Sequence, residues 1–303
     1  MKNSSWLAKS IGVTPLIIGM TVVAFGTSAP ELLVSSVASF QGNSAIAIGN
    51  VIGSNIANIG LILGIMVLIW PPKSDSQVVR REFPFLVIVS ILLFVLSLDG
   101  TLGRIDGAVL ISLFIVFIYS NVITVKRGLA SKFKHEVVEA EEKIEAIIDS
   151  KRRKRRAIKN LSLAVLGLLI LLAGSKLLVD SAIAIAARAG ISQMVIGLSI
   201  VALGTSLPEL FTSVIASIKK QDKISVGMVL GSNIFNTLLI LGIAAMILPI
   251  TLQPKDIYIS LPIMILFTFM AFPILNEKIK TRRIFGLFMV LGYFGFIFYS
   301  IIS

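Results

Sequence analysis

Gly26-Thr27-Ser28-Ala29-Pro30-Glu31 and Gly204-Thr205-Ser206-Leu207-Pro208-Glu209 are two copies of one phrase, each set in a long apolar stretch. In such a stretch a carboxylate costs several kcal/mol and a proline removes a helix hydrogen bond. Matched placement of both liabilities in two parts of one chain points to a single polar site built from two related pieces.

The offset between the phrases, 204 − 26 = 178, also aligns Gly49-Asn50-Val51-Ile52-Gly53-Ser54-Asn55-Ile56-Ala57-Asn58 with Gly227-Met228-Val229-Leu230-Gly231-Ser232-Asn233-Ile234-Phe235-Asn236. From Gly19 to Gly64 the two copies run without a gap and share roughly half their residues, which is duplication rather than chance composition.

The surrounding composition sets the class. Of 303 residues, 56% are hydrophobic and 15% charged. A helical membrane protein accommodates this; a soluble chain of that length does not, and the continuous, non-alternating apolar runs argue against a β-barrel. Windows of about 20 apolar residues give about nine spans: 14–40, 45–70, 83–98, 105–125, 161–187, 192–218, 224–249, 256–275 and 283–302. Each helix of the first copy meets its counterpart five spans further along the chain. Five is odd, so counterparts cross in opposite directions and the halves are inverted repeats. The expected organisation is a first repeat at 1–125, a loop at 126–160 and a second repeat at 161–303. The second copy has a full span, 161–187, ahead of its motif helix. The first copy has almost none, so the expectation is a ten-helix fold lacking its first helix.

Charge sorts by side. Lys2, Lys9, Lys73, Arg80, Arg81, the 126–160 segment, Lys219, Lys220, Lys223, Lys278, Lys280, Arg282 and Arg283 fall on one side. Arg104, Arg188 and Lys255 fall on the other. The positive-inside rule then places the N-terminus and the 126–160 loop in the cytoplasm and the C-terminus outside, in a multi-pass cell-membrane protein. The net charge of +12 is concentrated in loops, above all Lys151-Arg152-Arg153-Lys154-Arg155-Arg156. Without aromatic interleaving it reads as an anchor to anionic lipid, not a nucleic-acid surface. There is no cysteine, the one histidine, His135, lies in the charged loop, and no cleavable signal peptide is evident. No nucleophile–base pair or cofactor motif appears, so neither an enzyme nor a cofactor is expected, nor an obligate protein partner.

The chemistry is that of oxygen. Pro30 and Pro208 crowd and leave unbonded the carbonyls of Gly26 and Gly204, with those of Ala24, Thr27, Ala202 and Thr205 close by. Thr27 shares a helix face with Glu31, and Thr205 with Glu209; Ser54 and Asn58, and Ser232 and Asn236, are likewise four apart. Folding the halves together collects two carboxylates, hydroxyls, carbonyls and two amides. That is an all-oxygen set of charge −2, suited to hard cations such as Ca²⁺ and Na⁺. One Ca²⁺ or two Na⁺ neutralise it, and competition for the same charge gives exchange. Blander readings apply to several positions: a Pro kink, small-residue packing at Gly49, Gly53, Gly227 and Gly231, and helix–helix hydrogen bonding by Asn55 and Asn233. Lys176 and Asp180 can pair within one helix, and Asp99, Arg104 and Asp106 flank a glycine-rich turn.

The paired Gly-Thr-Ser-x-Pro-Glu and Gly-Ser-Asn-Ile-x-Asn segments resemble the α-repeats of the cation/Ca²⁺ exchanger superfamily, particularly prokaryotic Na⁺/Ca²⁺ exchangers. The resemblance implies ten helices, alternating access and Na⁺-driven Ca²⁺ export. It implies Ca²⁺ ligation by Glu31, Glu209, Thr27 and Thr205. It implies Na⁺-site roles for Ser28, Ser206, Ser54, Ser232, Ala24 and Ala202, with Asn58 and Asn236 as an amide pair beside the carboxylates. K⁺-dependent members are expected to carry Asp at the position of Asn236, and cation/H⁺ members a different first motif; the chain departs from both. The runner-up readings are a Ca²⁺/H⁺ antiporter, with Glu31 and Glu209 carrying protons, and a cation channel.

Overall fold

A computed structural model describes residues 15–73, 77–133, 170, 173–174 and 176–302. The doubled phrase falls at a break in a helix, twice. Helix α1 runs as Leu16–Thr27 and, after Ser28, Ala29–Phe40, bent by 46°; α6 runs as Gln193–Thr205 and, after Ser206, Leu207–Ile218, bent by 45°. Ser28 (φ −83°, ψ 8°) and Ser206 (φ −82°, ψ 2°) leave the helical region. Pro30 and Pro208 sit in the first turn of the new half-helix, where a missing N–H does no harm.

Between them lie α2 (Ser44–Ile69), α3 (Val78–Glu82 continuing as Phe83–Leu96), α4 (Arg104–Phe133) and α5 (residues 176–189). After α6 come α7 (Asp222–Ile247), α8 (Asp256–Leu275) and α9 (Arg282–Ile302). Among the described residues, five helices are long and apolar enough to cross a membrane, or seven when each bent pair counts as one span. The stretch expected at 83–98 is a helix whose first turn carries Arg80, Arg81 and Glu82, leaving 14 residues from Phe83 to Leu96 as its apolar part. Helix α4 extends past the expected limit at 125, so residues 126–133 are helical. The rest of the 126–160 loop lies outside the described residues, as do residues 161–169, 171–172 and 175 of the span expected at 161–187.

The 178-residue offset reaches further than Gly64. Wider, π-helical turns occur at Gly19–Val23, Ala57–Leu63 and Val78–Glu82 in the first repeat. They recur at Gly197–Val201, Phe235–Ile240 and Asp256–Ser260 in the second. Pro84 and Pro262 follow the third pair at the same offset. The register therefore persists through the loop and into the third helix of each repeat.

Loop contacts define two faces. On one, the Lys73 amide donates to Asp222 at 3.0 Å, Arg282 donates to the Pro72 carbonyl at 2.7 Å, and Lys220 lies 4.8 Å from the Trp70 ring. This is the basic face of the sequence reading. On the other, two two-residue strands, β1 (Thr101–Leu102) and β2 (Ile250–Thr251), pair antiparallel with Thr101 opposite Thr251, beside Lys255 and Tyr299. This is the sparsely charged face. Helix α2 is about 39 Å long at 1.5 Å per residue, so it connects one face to the other. It ends at Trp70 on the basic face, which puts Phe40, before its start, at the sparse face. Helix α7 begins at Asp222 on the basic face, which puts Ile218 there. The two motif helices thus run in opposite directions.

The repeats interlock through glycines. A Cβ on Gly49 would lie 2.6 Å from the Met194 carbonyl oxygen, and one on Gly231 2.6 Å from that of Met20. Each central helix therefore presses its backbone against the motif helix of the opposite repeat, which is the use expected for Gly-x-x-x-Gly spacing.

Candidate functional site

The break positions Glu31 and Glu209. Each stands in the first turn of a half-helix, where exposed N–H groups favour negative charge. Both are 1% exposed. Ser28 and Ser206 occupy the N-cap positions, yet neither side chain caps its own helix. Instead the hydroxyls cross the repeat boundary: Ser28 Oγ donates to Glu209 Oε1 at 2.9 Å, and Ser206 Oγ to Glu31 Oε1 at 3.2 Å. This reciprocal pair draws the two breaks together at the middle of the helix bundle.

The other expected residues gather around it, with differences between halves. Ser232 Oγ donates to Glu209 Oε1 at 3.5 Å, whereas Ser54 Oγ donates to the Ala202 carbonyl at 3.5 Å. Thr205 Oγ1 lies 3.0 Å from Asn50 Oδ1 and 3.2 Å from the Ala202 carbonyl. Thr27 Oγ1 lies 3.1 Å from the Val23 carbonyl and 3.2 Å from that of Ala24. The Ala24 and Ala202 carbonyls also accept the Ser28 and Ser206 amides at 2.9 and 3.0 Å, so they are not the bare oxygens that the broken helix suggested. Each keeps helix geometry because the break falls one turn later.

The amides face each other's repeat. Asn58 Nδ2 donates to Asn233 Oδ1 at 2.9 Å and Asn236 Nδ2 to Asn55 Oδ1 at 3.1 Å. Asn55 Nδ2 donates to Thr237 Oγ1 at 2.9 Å and Asn233 Nδ2 to the Asn55 carbonyl at 3.2 Å. Asn55 and Asn233 therefore make the helix–helix bonds expected of them and, in doing so, orient Asn58 and Asn236. Glu31 Oε2, Glu209 Oε2, Asn58 Oδ1 and Asn236 Oδ1 remain buried with no hydrogen-bond partner. A buried acceptor without a donor costs about 1–3 kcal/mol. Four of them, in two repeat-related pairs, form a donor-poor set whose complement is a cation. Among the described residues no three acidic, histidine or cysteine side chains cluster. The other oxygens here are neutral, the chemistry of Ca²⁺ and Na⁺ coordination and not of zinc or copper.

Asn50 belongs to the site although the doubled motif does not mark it. Fully buried, it donates to Ser35 Oγ at 3.0 Å and to the Glu31 carbonyl at 3.4 Å while its Oδ1 faces Thr205. Its repeat counterpart is Met228, so a search for residues shared by both copies discards it. Away from the site, Lys176 and Asp180 pair at 3.3 Å as expected, and Asp180 also accepts from Gln41 at 2.9 Å. Asp99 and Asp106 accept from the turn amides of Thr101 and Gly103 at 2.9 and 2.8 Å.

Comparison with known proteins gives one answer at three levels. Residues 1–123 and 159–302 match the family model described as sodium/calcium exchanger protein. The chain is 30% identical to the sodium/calcium exchanger MaX1 of Methanosarcina acetivorans, over 98% of this chain and 92% of that one. It is 36% identical to the inner membrane protein YrbG of Escherichia coli, over 88% and 82% respectively. The fold is similar to that of the sodium-calcium exchanger NCX_Mj soaked with 2.5 mM Na⁺ and 0.1 mM Ca²⁺, with a TM-score of 0.70 and 30% identity, covering 97% of this chain and 90% of that one. Two broken helices, a doubled acidic motif and these matches together make this chain a membrane protein of the sodium/calcium exchanger family.

Proposed function

We propose that the protein is a secondary active transporter that exchanges Na⁺ for Ca²⁺ by alternating access at one midplane site. The observation that carries the reading is the set of four unpaired buried oxygens on Glu31, Glu209, Asn58 and Asn236, tied across the repeats by the two serine–glutamate bonds. In this reading the carboxylates hold Ca²⁺ with Thr27 and Thr205. Ser28, Ser206, Ser54, Ser232 and the Ala24 and Ala202 carbonyls serve Na⁺, and Asn58 and Asn236 stand beside the carboxylates. The charge of −2 is neutralised by one Ca²⁺ or by two Na⁺, so loading with one species excludes the other, and an unneutralised site is too costly to carry across. The names of MaX1 and NCX_Mj support the choice of ions.

The repeats are taken as 1–125 and 161–303, joined by a cytoplasmic loop. The basic face lies in the cytoplasm and the C-terminus outside. Binding tests the site directly. Ca²⁺ alone and Na⁺ alone each raise the thermal midpoint of the solubilised protein, because each binds its folded state, and in excess Na⁺ the same Ca²⁺ adds little further rise, because the two compete for one site. A Ca²⁺ shift that Na⁺ leaves untouched would refute the shared site.

A further inference from the structure

Beyond each break the half-helix carries one buried polar line. Glu31, Ser35 and Ser39 are spaced four apart, as are Glu209, Ser213 and Ser217, so each trio lies along one side of its helix. All six side chains are at most 2% exposed. Buried membrane-helix serines commonly return their hydroxyl to the carbonyl four residues back. Ser90, Ser97 and Ser300 do so at 2.9, 2.7 and 2.8 Å. The serines of the two lines differ. Ser35 Oγ accepts from Asn50, Ser217 Oγ donates to the Trp70 carbonyl at 3.4 Å, and the hydroxyls of Ser39 and Ser213 have no hydrogen-bond partner. Ser213 lacks the bond that Ser35 has because Met228 stands where the first repeat has Asn50.

The lines begin at the two carboxylates and lead to opposite faces, since α1 ends at the sparse face and α6 at the basic one. At 1.5 Å per residue the outermost serine of each line is about 12 Å along the helix from its glutamate. We propose that the two lines are the transit paths of the exchanged cations, Ser35 and Ser39 serving the sparse face and Ser213 and Ser217 the basic face. This rests on the exchange reading above. A hydroxyl is an uncharged oxygen ligand: it replaces part of an ion's water without holding the ion, which passage requires. The inverted repeat thus supplies one path per face from a single duplicated sequence pattern.

The chain has no cysteine, so single cysteines can be placed without background. The variants are S35C and S213C, with S90C as the buried control, each in right-side-out and in inverted membrane vesicles. A membrane-impermeant maleimide is added during Na⁺-driven Ca²⁺ flux, and labelling is read from the mass of the purified protein. A thiol shut away from water stays inert, so labelling reports opening of the path. S35C should label from one face only, S213C from the other face only, and S90C from neither. S39C and S217C, one turn nearer the surfaces, should repeat the pattern and serve if a deeper variant fails to fold. Ca²⁺ flux with S35C and S213C as inert as S90C, or with either labelled equally from both faces, overturns the paths and keeps exchange. One-sided labelling without any Ca²⁺ flux overturns exchange and keeps the paths.

Discussion

Ser28 and Ser206 hold the positions where a serine usually caps its own helix, and both give up that bond to reach the opposite repeat. A hydrogen bond to a charged group contributes about 1.5–3 kcal/mol. Ser28→Ala and Ser206→Ala should therefore fold while the Na⁺ dependence of Ca²⁺ uptake shifts by about tenfold or more in concentration, 1.4 kcal/mol being tenfold. Glu31→Gln or Glu209→Gln removes half of the site's charge and should abolish Ca²⁺ exchange; either mutant transporting normally in vesicles would refute the shared site. Asn50 was the residue the sequence hid. Symmetry exposed every residue that occurs in both copies, but a position filled by Asn in one repeat and Met in the other carries no doubled signal. Asn50→Leu leaves Ser35 and Thr205 without their buried partner and should lower stability by about 1–3 kcal/mol, read as a fall in Tm.

Helix breaks were readable because proline and glycine act locally: Pro30 cannot donate to its own helix, and the bend appears within one turn of it. Glycine roles separate by surroundings that the sequence does not display. A Cβ at Gly231 would meet Met20 backbone at 2.6–2.9 Å, whereas one at Gly26 would meet nothing within 4 Å. Gly231→Ala should cost about 1–3 kcal/mol by forcing α1 and α7 apart. Gly26→Ala should be tolerated and gain up to about 1 kcal/mol in helix propensity. Thermal unfolding of the solubilised variants distinguishes the two. The β1–β2 pair was not legible at all. Two residues on each of two distant loops leave no periodicity to detect, and the pairing forms only once α3 and α7 bring the loops to the same face.

At the scale of the molecule the fold follows from one offset. A step of five spans, an odd number, from each helix to its counterpart inverts the copies, inversion turns α1 and α6 toward opposite faces, and the glycine contacts lock each central helix onto the other repeat's motif helix. The alternating charge of the loops agrees with the contacts that gather Trp70, Asp222 and Arg282 on one face and β1 with β2 on the other. In the cysteine-free background, Lys278→Cys and Lys255→Cys should label from opposite sides of the membrane, Lys278→Cys from the cytoplasm; labelling of both from one side would break the topology. The central claim is Na⁺-coupled Ca²⁺ exchange. Its most direct test is Ca²⁺ uptake into vesicles under an imposed Na⁺ gradient with the pH gradient collapsed. Uptake should follow the Na⁺ gradient, reverse when that gradient is reversed, and persist without a pH difference. Uptake indifferent to Na⁺ and driven by the pH gradient would contradict it.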